Sequence, residues 1–260
     1  MTALRMQLQI AWLNLVQHRR RTLLLGAAIA TVTGVFLLLT GVAVGIQRTL
    51  SETAVTLTTG HLNVNGVFKI SEGQAVPMLT AYEKVARVVE RSVPEAAFVV
   101  HRGRGGGKII AEGVSLGALL NGVEIAREPG LRRVLRITSG KLDDLAQPNT
   151  ILLFEQQAKT LDVSVGDAVT LSSQSIRGVA NTVDCRVVAV ARDVGLLSSF
   201  SVFASVETLR ALYQARGDVT GVLQVHLRPQ AVDAAPLIAA RLREDLAKAG
   251  YGVMKADARG

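Results

Sequence analysis

Positions 22–46 hold apolar and small residues without one charge among them, and no later stretch repeats that pattern. At 1.5 Å rise per residue, about 25 helical residues cross a bilayer core. The segments around Ile109–Leu120 and Val187–Val206 are apolar too, but Lys108, Glu112, Arg192 and Asp193 break them. Ahead of the long run, Leu4, Leu8, Ile10, Trp12 and Leu15 recur at helical spacing among Gln7, Gln9, Asn14 and Gln17. That pattern predicts an amphipathic helix on a membrane surface, with Trp12 as an interfacial anchor.

Beyond residue 50 the periods are those of a mixed domain. His61–Val67 alternates as a strand. Thr80 and Glu83 form a capping box that opens a helix over 81–93, which Pro94 ends. Ala97–Val100 and Gly107–Glu112 read as a pair of strands. A second unit of this kind closes the chain. Val219–Leu227 is a strand, and Asp233 caps a helix carrying Leu237, Ile238, Leu242 and Leu246 on one face. Gly250 stops that helix, and Tyr251–Lys255 begins another strand. Two strand–helix–strand units predict a split, ferredoxin-like α+β subdomain built from both ends of the external region. Between them, Asn149–Phe154, Ala168–Ser172 and Asp184–Ala191 read as short strands, with helices over 155–161 and 207–216.

Charge orients the long apolar run. Arg5, Arg19, Arg20 and Arg21 precede it, only Arg48 closely follows it, and no acidic residue appears before Glu52. Basic flanks stay in the cytoplasm, so the N-terminus is expected inside and the rest of the chain outside. A cleaved leader is the competing reading. Its apolar region is shorter, roughly 7–15 residues, and Ala43-Val44-Gly45 is a poor cleavage site. Small residues at Gly26, Ala30, Gly34, Gly41 and Gly45 fall near one face of the helix. Such a face admits a second helix at close range, although glycine is common in membrane helices for other reasons.

Composition narrows the classes. The chain has 260 residues, 49% of them hydrophobic, which supports a packed core. Its net charge of +8 invites nucleic acid as a partner. Half of that excess lies in the N-terminal flank, where topology and anionic lipid account for it. Three Tyr and six Phe offer little to stack bases, so no nucleic-acid binding is expected. A single cysteine, Cys185, excludes an internal disulfide and a cysteine-based zinc site.

Three motifs fall short of chemistry. Gly113-Val-Ser115-Leu-Gly117 matches the nucleophile-elbow pattern, but the only later histidine is His226, in a predicted strand. It reads better as a turn in a β-segment. Arg102-Gly-Arg-Gly-Gly-Gly-Lys108 lacks the glycine and the Ser/Thr of a phosphate loop, and reads as a flexible loop or hairpin with solvated arginines. His18, His61, His101 and His226 show no metal-ligand spacing. No catalytic residue, metal or cofactor is expected.

The order of blocks resembles the permease subunits of MacB/LolC/FtsX-type ABC transporters. The matching text is Ala11-Trp-Leu-Asn14, His18-Arg-Arg-Arg21-Thr22, Gly60-His61-Leu-Asn-Val and Gly122-Val-Glu124. It continues through Ile151-Leu-Leu-Phe-Glu155 to Val165-Gly166-Asp167 and the returning strand from Val187. The resemblance implies an α+β fold with one N-terminal transmembrane helix and a two-lobed periplasmic domain, a porter-like βαβ lobe carrying an inserted β-rich lobe. The expected organisation is a cytoplasmic amphipathic helix at 1–21 and a transmembrane helix at 22–46. The porter-like lobe takes residues 47–127 and 218–260, and the β-rich lobe residues 128–217.

The same resemblance implies a non-enzymatic permease subunit in a bacterial inner membrane. Its partners would be a cytoplasmic ATPase that binds the ATP, a second permease subunit and membrane lipid. The work would be export or lipoprotein release. Family members carry three further membrane helices, so the chain is expected to be an N-terminal part. A single-pass envelope sensor or scaffold is the alternative, and a membrane-tethered hydrolase using Ser115 a third.

Overall fold

The computed structural model describes residues 5–6, 17–54, 59–66, 68–71, 74–76, 78–215, 219–251 and 255–258. The chain divides into two units, Met1–Glu52 and Thr53–Gly260. The first is dominated by helix α1 (Arg19–Ala54). Its 36 residues make a rod about 54 Å long. The apolar window Arg19–Ile46 is long and apolar enough to cross a membrane, and none of it is buried by protein. Most of the amphipathic helix expected over 3–18, Trp12 included, lies outside the described residues.

The second unit is built on strands β1 (Leu62–Asn65), β2 (Phe68–Ser71), β3 (Gln74–Val76) and β4 (Leu79–Thr80), then helix α2 (Tyr82–Ser92). The hairpin β5 (Ala96–Ala111) and β6 (Val114–Val123) follows, then α3 (Pro129–Val134), β7 (Ile137–Gly140) and β8 (Thr150–Phe154). Next come α4 (Glu155–Leu161), β9 (Ala168–Gln174), β10 (Ala180–Ala191), α5 (Leu196–Phe200), β11 (Ser201–Ser205) and α6 (Val206–Tyr213). The chain closes with β12 (Val219–Thr220), β13 (Val222–Leu227), α7 (Ala235–Lys248) and β14 (Lys255–Ala258).

One ten-stranded sheet runs β14-β1-β13-β5-β6-β11-β8-β10-β7, with β9 bridging β10 and β5. That bridge closes a ring. β5, β6, β11, β8, β10 and β9 each pair with two neighbours in the ring and form a barrel without free edges. Each strand sends alternate residues inward: Ile109 and Ala111, Ala118 and Leu120, Ile151 and Leu153, Val169 and Leu171, Cys185 and Val187, Val202 and Ala204. Burial pushes the Cys185 thiol up to about 12, as expected of a small core residue. Helices α4 and α6 add Leu161, Leu209 and Leu212 to this core. The outer wall of β8 and β11 is covered by the segment after β6, through Ile125, Leu131, Leu135 and Leu145.

The other end of the sheet is open. β14, β1, β13 and the first half of β5 are antiparallel throughout. Leu62, Val64, Leu223 and Val225 face α2 and α7, which contribute Val85, Val89, Ile238, Leu242 and Leu246. β5 therefore serves both halves. Ala96–Arg102 pairs with β13, and Gly103–Ala111 pairs with β6.

Several local expectations change. The glycine-rich stretch 102–108 is the middle of β5, not a loop, because β6 holds Gly103–Lys108 in register along its length while β13 and β9 grip its two ends at Arg102 and Lys108. The hairpin turn lies later, at Glu112 (φ 41) and Gly113 (φ +86), two positive angles in a two-residue connection. Thr80 does not cap α2. It pairs in β4 with Val219, and Ala81, in the left-handed region at φ 52, starts the helix instead. Asp233 likewise makes no cap, since a 3₁₀ turn over Pro229–Ala234 precedes α7. The helix over 155–161 falls as its sequence predicts, and buried Gln157 ties it to β11 through the Ser201 carbonyl at 3.0 Å.

Two predictions follow from this packing. A Cβ at Gly105 would lie 2.5 Å from Tyr213 Cζ, whereas one at Gly106 meets nothing within 4 Å. Urea titration of the full chain followed by circular dichroism should show Gly105→Ala losing about 1–3 kcal/mol and Gly106→Ala unchanged or slightly stabilised. Equal effects would contradict the packing. His226 is the second case. It stacks on Phe98 at 4.5 Å, and burial, aided by Arg102 and His61, pushes it down to about 3. Unfolded, it titrates near 6.5. Between those values the unfolded chain binds more protons, so stability is fully present above about pH 6.5 and erodes as pH falls toward 3. His226→Phe should flatten that acid limb by on the order of a few kcal/mol, read from urea midpoints between pH 7 and 4.

Candidate functional site

The residues singled out in the sequence fall in two places. On α1, Arg19, Arg20 and Arg21 are exposed at its start. Gly26, Ala30, Gly34, Gly41 and Gly45 lie within about 100° of arc at 3.6 residues per turn. An added Cβ at any of the four glycines meets nothing within 4 Å. Thr31 and Thr40 donate their hydroxyls to carbonyls one turn back, at 2.8 Å each.

In the second unit, the junction of open sheet and barrel concentrates the polar chemistry. Arg102 and Glu128 are both 1% exposed. The guanidinium donates from Nε to Oε1 at 2.6 Å and from Nη2 to Oε2 at 2.8 Å. This bidentate pair joins β5 to the residue that opens α3. The sequence reading placed Arg102 on a solvated edge, and its burial corrects that. Residue 102 points away from the face that carries His101 and Gly103, as alternation along a strand requires.

On that other face lies an open groove of about 410 Å³. Its first wall is α2, with Tyr82, Glu83, Arg87 and Glu90. Its second wall is α6, with Glu207 and Arg210. Val99, His101 and Leu223 line it from the sheet, and Glu124 and Arg127 from the end of β6. His101 Nε2 donates to Glu124 Oε2 at 3.0 Å, while Arg127 reaches Glu124 Oε1 at 3.3 Å. The His101 ring packs on Tyr82 at 4.5 Å, and Arg210 stands over that same Tyr82 ring at 5.8 Å. α6 sits close to the sheet because Gly103 and Gly122 are register partners beneath Leu209. Its N-terminus is fixed by Ser205, whose hydroxyl accepts from Thr208 N at 3.2 Å.

None of the groove was identified from sequence. A signal exists: acid and arginine recur three or four positions apart as Glu83/Arg87, Glu124/Arg127 and Glu207/Arg210. What brings the three pairs together is the crossing of β5, which no local pattern announces.

The elbow geometry is absent at Ser115. That residue is exposed within β6, two positions past a hairpin turn, and no helix follows it. His226 is buried in β13. Among the described residues no group of three or more His, Cys, Asp or Glu is placed to hold a metal ion.

No family model matches the chain. No curated protein matches it either. Among solved structures, the periplasmic region of MacB from Actinobacillus actinomycetemcomitans aligns with a TM-score of 0.52 at 15% identity, over 79% of this chain and 91% of that one. The extracellular domain of the noncanonic ABC-type transporter YknZ from Gram-positive bacteria aligns at 0.48 and 14% identity, over 69% and 89%. A domain of a putative permease protein from Porphyromonas gingivalis aligns at 0.42 and 16%, over 75% and 85%. On the strength of the first, the chain carries the fold of the periplasmic region of MacB.

Proposed function

We propose that this chain belongs to a permease subunit of an ATP-driven ABC transporter. The observation that carries the reading is the likeness to the MacB periplasmic region over 79% of the chain, joined in one polypeptide to an apolar helix long enough to cross a membrane. The helix crosses the inner membrane with Arg19–Arg21 and Trp12 on the cytoplasmic side, and residues 47–260 lie in the periplasm. In this reading the open four-stranded end corresponds to the porter-like lobe and the barrel to the inserted lobe, which takes in Gly103–Val123 as well as the expected 128–217.

In this reading the work is mechanical. The chain needs no cofactor of its own, because ATP is bound by a separate cytoplasmic ATPase subunit. Motion from that ATPase passes along α1 to the periplasmic domain. The face of α1 bearing Gly26, Ala30, Gly34, Gly41 and Gly45 packs against another membrane helix of the permease pair. The cargo is exported or, as in lipoprotein release, lifted from the membrane.

Affinity purification of the native reading frame from its own membranes tests this. An ABC ATPase should co-purify in fixed stoichiometry, and the complex should hydrolyse ATP. A chain that comes away alone, from cells in which it is functional, would contradict the transport reading and favour a single-pass scaffold.

A further inference from the structure

Three glycines from three separate segments meet where β5 changes partners. Gly103 in β5 and Gly122 in β6 are register partners, and an added Cβ at either would meet Leu209 Cδ2 at 3.1 Å. Gly221, between β12 and β13, donates its N–H to the Arg102 carbonyl at 3.1 Å. A Cβ there would lie 2.7 Å from Arg104 N and 2.8 Å from Arg102 O. The joint is thus backbone against backbone. Glycine lowers the stiffness of a strand interior at such a place.

The two faces of this joint differ. On one, the buried Arg102–Glu128 pair clamps β5 to the start of α3. On the other, the α2–α6 groove is open. Arg87 on the α2 wall and Glu207 on the α6 wall carry opposite charges, and neither makes an ion pair among the described residues. At the inner edge of the same groove, His101 Nδ1 and Arg210 Nε are buried without a hydrogen-bond partner among the described residues.

We propose that the groove is a closable cleft. α2 and α6 approach each other about the Gly103–Gly122–Gly221 joint, with the Arg102–Glu128 pair as the pin on the far face. Pairing of Arg87 with Glu207 latches the closed state. The device belongs to this domain alone, so it stands or falls independently of any ATPase.

Spin labels on Lys84→Cys in α2 and Ala211→Cys in α6, both exposed, read the distance across the groove in the full chain. Cys185 is buried, with its thiol pushed up to about 12, and stays unlabelled. Double electron–electron resonance should give a longer and a shorter distance population. Arg87→Glu, which sets like charges face to face, should lower the shorter population about two- to fivefold. Arg87→Glu combined with Glu207→Arg should restore it. One narrow distance unmoved by either variant overturns the cleft. A shorter population that Arg87→Glu lowers and the double exchange fails to restore overturns the latch.

Discussion

The structure depends on one strand doing two jobs. β5 is sixteen residues long, and its halves belong to different arrangements, an open antiparallel sheet and a closed barrel. A strand cannot twist into a barrel and also lie along an open sheet without a change of direction at the point of exchange. That point falls between Arg102 and Gly103. The arginine brings a charge into the interior, where it survives because Glu128 meets it with two short hydrogen bonds. A buried pair of this kind adds little net stability against an apolar substitute, but losing one partner is costly. Its contribution is to fix where the two halves meet.

The glycines next to it serve the opposite face. Gly103, Gly105 and Gly122 leave space that Leu209 and Tyr213 occupy, so α6 lies close on the sheet. That approach creates the second wall of the groove, and α2 supplies the first. The chemistry in the groove is thus a consequence of the joint. His101, Glu124, Arg127 and Arg210 come within reach of one another only because the end of β6 and the start of α6 are drawn to the same crossing.

The sequence was legible where period and length agree. The uncharged run 22–46, the helix over 155–161 and the bodies of α2 and α7 are legible in the sequence, but the caps expected at Thr80 and Asp233 do not form, and Leu237, expected on the apolar face of α7, is 77% exposed while Ile238, Leu242 and Leu246 are buried. Reading failed where tertiary contacts override local preference. Arg102–Lys108 looks like a loop because glycine is a poor strand former, yet continuous pairing with β6 holds it as a strand, and Leu209, Tyr213 and Leu120 leave no room for a side chain at Gly103, Gly105 and Gly107. Ser201–Ser205 is short and flanked by serines, and becomes a fully buried strand because β6 and β8 bracket it. The partnership of Arg102 with Glu128 spans 26 residues and leaves no trace in any local pattern.

The most direct test of the account is to unfold the full chain in urea with Glu128 replaced by Ala, following the open sheet and the barrel by hydrogen exchange. Removing the carboxylate leaves a buried guanidinium without its main partner. The joint-centred account predicts a loss of about 3–5 kcal/mol, with amides of Ala96–Arg102 and Gly103–Ala111 losing protection together. Loss of protection confined to one half of β5, or stability equal to that of the unaltered chain, would contradict it.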